Sequence, residues 1–334
     1  MAMAKTNKCG LWDKDSKPAK IGGEALIEGV MMKSPEHIAI AIRKSDGEII
    51  VDKKKNNMPS SRYKVLRVPL IRGAVTIIES MVVGMKALMQ SAEYAGFEDE
   101  NEGETTEEPY TPSKTEKFLE KVTGGKLKEA ALMFSVFFAL LLGVGIFFIL
   151  PNLIAGLFKF DRTTAGGVII FNLTEGIIRI AIFIGYIVLV SRMKDIRRVF
   201  EYHGAEHKTI HCLEHNEALT VENVRKYTTR HPRCGTALLF VVIIVSIIIF
   251  SFAGVHNVLI NVLLRLLLIP LVAGVSYEII KLAGKSRSPL MRIVSLPGVA
   301  LQRFTTREPD DSQIEVAIAA LENVKDNTGG NHKE

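Results

Sequence analysis

"ALMFSVFFALLLGVGIFFIL", residues 131–150, carries no charged side chain over 20 consecutive positions. At ~1.5 Å of rise per residue, a helix of that length matches the ~30 Å hydrocarbon core of a bilayer. "TALLFVVIIVSIIIFSFAG" (236–254) is a second uncharged run. "VIIFNLTEGIIRIAIFIGYIVLV" (168–190) is long enough but contains Glu175 and Arg179, and "VLINVLLRLLLIPLVAGVSYEII" (258–280) contains Arg265 and Glu278. Hydrophobic residues make up 48% of the 334-residue chain and charged residues 23%, so the apolar content must be segregated into blocks. No soluble core needs four apolar runs of this length. The expected fold is therefore a mainly α-helical polytopic membrane protein with four transmembrane helices.

Lys and Arg in the flanks orient such a bundle. Residues 191–235 carry nine of them, whereas 151–167 hold only Lys159 and Arg162 and 255–257 none. Lys114, Lys117 and Lys121 precede the first span, and Lys281, Lys285 and Arg287 follow the last. Both termini and the 191–235 segment are expected in the cytosol. The first 20 residues lack the apolar stretch of a signal peptide. Cys9, Cys212 and Cys234 all fall on the cytosolic side, where thiols stay reduced, which argues against a disulfide framework.

The pattern divides the chain into residues 1–97, a small cytosolic α+β part with an amphipathic helix; 98–128, an acidic linker; 129–190, spans one and two; 191–235, a histidine-rich cytosolic module; 236–280, spans three and four; and 281–334, cytosolic amphipathic and C-terminal helices. In the first part, "HIAIAIR" (37–43) and "EIIV" (48–51) flank Ser45-Asp46-Gly47, a strong hairpin signal. "YKVLRVPLIRG" (63–73) reads as a third strand or extended segment. Residues 74–96 read as a helix with an apolar stripe, lying on the membrane or covering the sheet. "IGGEALIEGVMMKSP" (21–35) reads as a glycine-bearing loop. There Glu24 and Glu28, if helical, would share a face and could serve as ligands or bases.

"EYHGAEHKTIHCLEHNE" (201–217) puts His203, His207, His211 and His215 at a spacing of four. No proline and only Gly204 interrupt the run from Ser191, so span two is expected to continue into it as one helix. Successive positions drift by only ~40°, and the histidines form one stripe. Two imidazoles at i, i+4 point at one place, as a tetrahedral metal site requires. His203-Gly204-Ala205-Glu206-His207 is an H-x-x-E-H pattern, in which the glutamate would be general base for a metal-bound water. His231 and Cys234, in "HPRCG", could complete the site, and zinc suits imidazole and thiolate donors best. The alternative is a helix whose histidines cap, stack or face water beside anionic lipid. Beyond it, Thr220 opens a short helix ending near Thr229, residues 288–304 form a basic amphipathic stretch, and Pro309-Asp310 start a compact helix that docks on the cytosolic module.

"GGEALIEGVMM", "EYHGAEHKTI", "LTVENVRKYTTRHPRCGT" and "LQRFTTREPDDSQIEVAIAALE" resemble the hallmark blocks of the YqhQ family of bacterial membrane proteins, over about Ile21 to Leu321. The resemblance implies a multi-pass protein of the bacterial plasma membrane, in a family of unknown function whose usual label is predicted metal-dependent enzyme. It carries over His203, Glu206, His207, His231 and Cys234, with Glu24 and Glu28 in the N-terminal block. Unlike inverted zincins, the chain has no large protease domain and no assigned third acidic ligand.

Two classes of function follow. One is a membrane-bound metal-dependent hydrolase, with Glu206 as base and His203, His207, His211, His231 and Cys234 as metal ligands. The other is a non-catalytic scaffold or accessory factor in membrane-protein biogenesis, docking a protein complex on a basic surface. The net charge of +6 suits anionic membrane lipids as partners, and no specific nucleic acid is indicated. A homo-oligomer is compatible with the sequence. Glu175, Arg179 and Arg265 lie within the spans and are expected to face the bundle interior, since charge in lipid is costly.

Overall fold

A computed structural model describes residues 18–63, 66, 68–95, 127–161, 163–252, 258–285 and 288–325. Cys9 and the acidic stretch 98–113 lie outside the described residues. The chain divides into two compact units: residues 1–98 with 186–246 and 268–334, and residues 99–185 with 247–267.

In the first unit, a four-stranded antiparallel sheet runs β1 (Gly22–Leu26), β2 (Gly29–Lys33), β3 (His37–Arg43) and β4 (Ile49–Lys55), in that spatial order. The Asp46-Gly47 hairpin forms as expected, joining β3 to β4. The segment 21–35 is not a loop with helical glutamates but a hairpin, with β1 and β2 paired around Ile27-Glu28. Its near-continuous apolar character has a physical cause. Leu26, Met31, Ile40 and Ile42 bury on one face of the sheet and Val30, Met32, Ala39 and Ala41 on the other. A sheet covered on both sides loses the apolar–polar alternation that marks a half-exposed strand.

After the short helix α1 (Pro59–Arg62), the described residues of 63–73, expected as a strand or extended segment, form no strand: the chain turns through Val68–Leu70, and α2 (Ile71–Tyr94) begins there. Ala87 and Val83 of α2 pack on the Leu26–Met31 face. Its opposite side exposes Ile78, Met81, Val82, Met85 and Met89.

Helices α3 (Leu127–Val144), α4 (Leu150–Leu157), α5 (Ala165–Val190), α8 (Thr236–Phe252) and α9 (Val258–Lys285) correspond to the apolar runs, with a π-helical turn, Gly145–Ile149, joining α3 to α4. Among the described residues, Phe137–Leu157, Ala165–Val190 and Leu259–Ala283 are long and apolar enough to cross a membrane. That is the make-up of a membrane protein, mainly helical with a small N-terminal sheet. The remaining run yields α8, whose apolar stretch Leu238–Phe252 is shorter.

Within the second unit, Glu175, Arg179 and Arg265 are buried together. Arg265 donates Nη1 to Glu175 Oε1 (2.6 Å) and Nη2 to Oε2 (2.5 Å), and Arg179 Nη2 reaches Oε1 (2.5 Å). Asn152 Nδ2 adds a bond of 3.1 Å to the same carboxylate. Arg179 Nε donates to the Phe147 carbonyl (2.9 Å), inside the π-helical turn. Phe250 lies 5.6 Å from the Arg179 guanidinium and 5.4 Å from that of Arg265, so its ring face meets both cations.

The histidine stripe does not ride on an extension of the second span. Ser191–Met193 break the helix, and a separate helix α6 (Lys194–Glu214) starts after Met193, which is extended at ψ 136°. Helix α7 (Val221–Arg225) follows, capped by the Thr220 side chain on Asn223 N–H. α10 (Pro289–Thr305) precedes α11 (Asp311–Val324), which Asp310 and Gln313 open with a reciprocal capping box. α11 buries Ile314, Val316, Ala317, Ala320 and Leu321 against Val30, Met32, Tyr202 and Ala205. That packing fixes α6 over the second face of the sheet.

Candidate metal centre

α6 places its histidines by helical period, and the chain around it decides which ring nitrogen is available. His207 Nδ1 lies 2.6 Å from the Thr229 carbonyl and His203 Nδ1 2.8 Å from that of Thr305. A carbonyl only accepts, so each Nδ1 carries the proton and each Nε2 is left as the donor atom for a metal. The His203 Nε2 points at Cys234 Sγ, 3.3 Å away. One ligand atom each from His203, His207 and Cys234 falls within 4.8 Å of the others. Two imidazoles and a thiol at such separations fit a tetrahedral ion that keeps one position open.

A second group, His211, Glu214 and His231, meets the same distance limit. Its protons are arranged differently. Arg233 N–H donates to His231 Nδ1 (3.3 Å), which leaves the hydrogen on Nε2, 3.5 Å from Glu214 Oε2. Glu214 also accepts from Ala19 N–H (3.1 Å) and is ion-paired with Arg233. His211 donates Nε2–H to the Arg230 carbonyl (2.9 Å). His211 Nδ1 and His231 Nε2 are buried with no hydrogen-bond partner among the described residues, so in this group it is Glu214, held by Ala19 and Arg233, that is engaged rather than those ring nitrogens. Gln302 clamps the His231 backbone from both sides, accepting its N–H (2.8 Å) and donating to its carbonyl (2.9 Å).

The protonation pattern follows from this packing. Burial alone would raise the Cys234 thiol, yet the adjacent His207 and His203 imidazoles hold it well below its usual range. Burial likewise opposes charge on His207, but the Cys234 sulfur and the Glu206 carboxylate carry it up to about 9. Burial and the neighbouring imidazoles push His211 down to about 3, and burial with His207 does the same to His231. Burial raises Glu206, with His207 and His203 opposing.

Glu206 Oε2 is 3.4 Å from His207 Nε2, and its carboxylate accepts the Gly23 N–H. A Cβ on Gly23 would fall 2.6 Å from Glu206 Cγ, so only glycine lets β1 come this close. Glu206, His207 and Cys234 line a cleft of about 180 Å³ together with Gly22, Gly23 and Arg233. Glu24 and Glu28 do not meet. Glu24 turns to the other face of β1, toward Gly84 of α2, and burial raises its carboxyl. Glu28, at φ 50° in the β1–β2 turn, binds Arg198 (Nη2–Oε2 2.6 Å) and Tyr202 Oη (3.1 Å). Neither contributes to a ligand group. Cys212 is buried in the core, with its sulfur toward the Ala218 carbonyl (3.5 Å).

Sequence reasoning missed Glu214, three residues after His211, and the carbonyls of Thr229 and Thr305. The i, i+3 spacing could have suggested the first; backbone carbonyls carry no signal in side-chain identity.

The family described as "Protein of unknown function (DUF1385)" matches residues 68–327. The "Uncharacterized protein YqhQ" of Bacillus subtilis (strain 168) is 34% identical over 311 residues, covering 92% of this chain and 93% of that protein. No solved structure matches.

Proposed function

The chain belongs to the DUF1385 family of proteins of unknown function, and on that premise we propose a membrane-bound, metal-dependent hydrolase. In this reading α8 is a fourth span, both termini lie in the cytosol, and the protein resides in the bacterial plasma membrane. His203, His207 and Cys234 hold one divalent ion, zinc by donor chemistry. The observation that carries the reading is the pair of Nδ1–H bonds to Thr305 and Thr229, which commit both Nε2 atoms to the space beside Cys234. Nothing in helix packing alone demands that orientation.

A bound ion would supply Lewis-acid activation of a water or of a substrate carbonyl. Glu206 sits at the cleft wall, held by Gly23 N–H, to take a proton from that water and return it to the leaving amine or alcohol. The carbonyl carbon gains the water oxygen as its bond to the leaving nitrogen or oxygen breaks. The raised affinity of Glu206 for a proton suits a base that must accept one from water and then hand it on. His211, Glu214 and His231 support the ligand loop from behind.

Full-length protein purified without chelator should hold about one zinc per chain. His207→Ala should lose it. Glu206→Gln should keep the metal while complementation of a deletion strain falls by about two to four orders of magnitude in rate-limited output. A scaffold that docks a membrane-biogenesis complex predicts instead that Glu206→Gln is silent and that His207→Ala acts only through protein abundance.

A further inference from the structure

Three cavities adjoin one another in the unit that contains the metal centre. The cleft of about 180 Å³ shares Gly22 and Gly23 with a second of about 320 Å³, which adds Lys20, Glu24 and Lys33. The second shares Lys33, Pro35 and Asn56 with a third of about 360 Å³, which reaches Arg72, Glu79 and Lys281. The first lies on the α6 face of the edge strand β1 and the second on its α2 face, and through the shared lining residues the three adjoin as a groove around that edge, with the ligand cluster at one end.

Its outer end lies against a membrane-crossing helix. Lys281 belongs to α9, whose segment Leu259–Ala283 is long and apolar enough to span a bilayer. The start of α2 is packed on that helix: a Cβ on Gly274 would lie 2.5 Å from the Leu70 carbonyl oxygen, and Arg72 binds Glu278 through Nε (2.6 Å) and Nη2 (2.5 Å). From there α2 carries its exposed Ile78, Met81, Val82, Met85 and Met89. An apolar stripe that starts where a span ends is suited to the acyl–headgroup boundary.

The groove's cations are unequally engaged. Arg72 is spent on Glu278, while Glu79 is held by Ser60 N–H (2.7 Å) and Ser60 Oγ (2.6 Å). Lys33 stands at the junction of the second and third cavities, where its ammonium faces the Glu24 and Glu79 carboxylates but makes no hydrogen bond among the described residues, while Lys20 lines the second cavity and Lys281 the third. Three ammonium groups along one channel recognise a bulky anion better than a neutral chain.

We propose that this groove admits an anionic, phosphate-bearing amphiphile directly from the bilayer, its headgroup passing along Lys281, Lys33 and Lys20 so that its hydrolysable linkage reaches the metal cleft. This rests on the hydrolase reading of the same site and names its substrate class: a membrane-borne anionic lipid or lipid-linked compound.

The test uses full-length protein in an uncharged maltoside detergent, titrated by calorimetry with dihexanoyl phosphatidylglycerol, dihexanoyl phosphatidylcholine and glycerol 3-phosphate, with metal content measured on the same sample. Phosphatidylglycerol should bind saturably and at least about tenfold more tightly than either other probe. Lys33→Gln and, separately, the exposed Lys20→Gln should each weaken it about tenfold, while Lys44→Gln, remote in the β3–β4 turn, should not. Glycerol 3-phosphate binding as tightly as the lipid would assign the groove to a soluble phosphate and overturn a bilayer source. No binding, or binding indifferent to both groove lysines, would overturn the site. Metal retained without lipid binding sinks the groove alone, and lipid binding by a metal-free protein sinks the hydrolase reading alone.

Discussion

His203 and His207 can turn their Nε2 atoms toward Cys234 because the backbone, not another side chain, holds the opposite nitrogens. The i, i+4 spacing was legible from the sequence, as was Cys234 as a partner near the point where the chain re-enters the apolar run. Which nitrogen would be free was not, since Thr305 and Thr229 act through carbonyls that every residue possesses. Cys234→Ser replaces a thiolate by a poorer ligand and should weaken zinc binding by at least about tenfold, read by competition with a chromophoric chelator. The buttressing histidines make a separate prediction about acid. His211 and His231 are neutral in the fold down to about pH 3, but an unfolded histidine protonates near 6.5. The unfolded state therefore binds more protons between those values, and stability must fall as pH drops below ~6.5, by about 1.4 kcal/mol per unit for each such group. Thermal melts of metal-free protein should show Tm falling from pH 7 to pH 5. A flat profile would mean that both rings already accept protons in the folded state.

Among the elements, the long apolar helices, the β3–β4 hairpin and the α11 cap were written locally, in runs, turn residues and the Asp310–Gln313 box. The errors fell where tertiary packing overrode local cues. Gly22, Gly23 and Gly29 read as loop, but they serve a hairpin whose edge strand must approach Glu206, and its two-sided burial erased the strand period. The break at Ser191–Met193 has no Pro or Gly to announce it; α6 starts anew because its buried face packs on the sheet and α11. The buried ion cluster gives a ranking that a mere count of charges would not. Arg179→Leu leaves Glu175 paired with Arg265, a neutral remnant, whereas Glu175→Gln leaves two guanidinium groups without a counter-charge. Removing the shared partner of a buried pair costs about 3–5 kcal/mol. Glu175→Gln should thus reduce folded yield and detergent thermostability more than Arg179→Leu, and Ile180→Leu should be silent. Equal loss in the first two would show that Glu175 does not hold the cluster together.

At the scale of the whole molecule, the apolar runs declared a membrane protein, and flanking Lys and Arg predict its orientation. Cys212 and Cys234 are both buried, so topology is better read from introduced thiols. With the native cysteines replaced, Glu222→Cys in the exposed part of α7 should resist a membrane-impermeant maleimide in intact cells. Thr163→Cys, exposed before α5, should react. Reversed labelling would move the histidine module to the outer face. The central claim is that this membrane protein carries a His–His–Cys metal centre beside a carboxylate base. Zinc K-edge absorption on protein purified without chelator addresses it most directly. The account predicts about one sulfur neighbour at ~2.3 Å and nitrogen or oxygen neighbours at ~2.0–2.1 Å, the sulfur shell disappearing in Cys234→Ser. A protein without stoichiometric metal, or a metal whose sulfur shell survives Cys234→Ser, would contradict it.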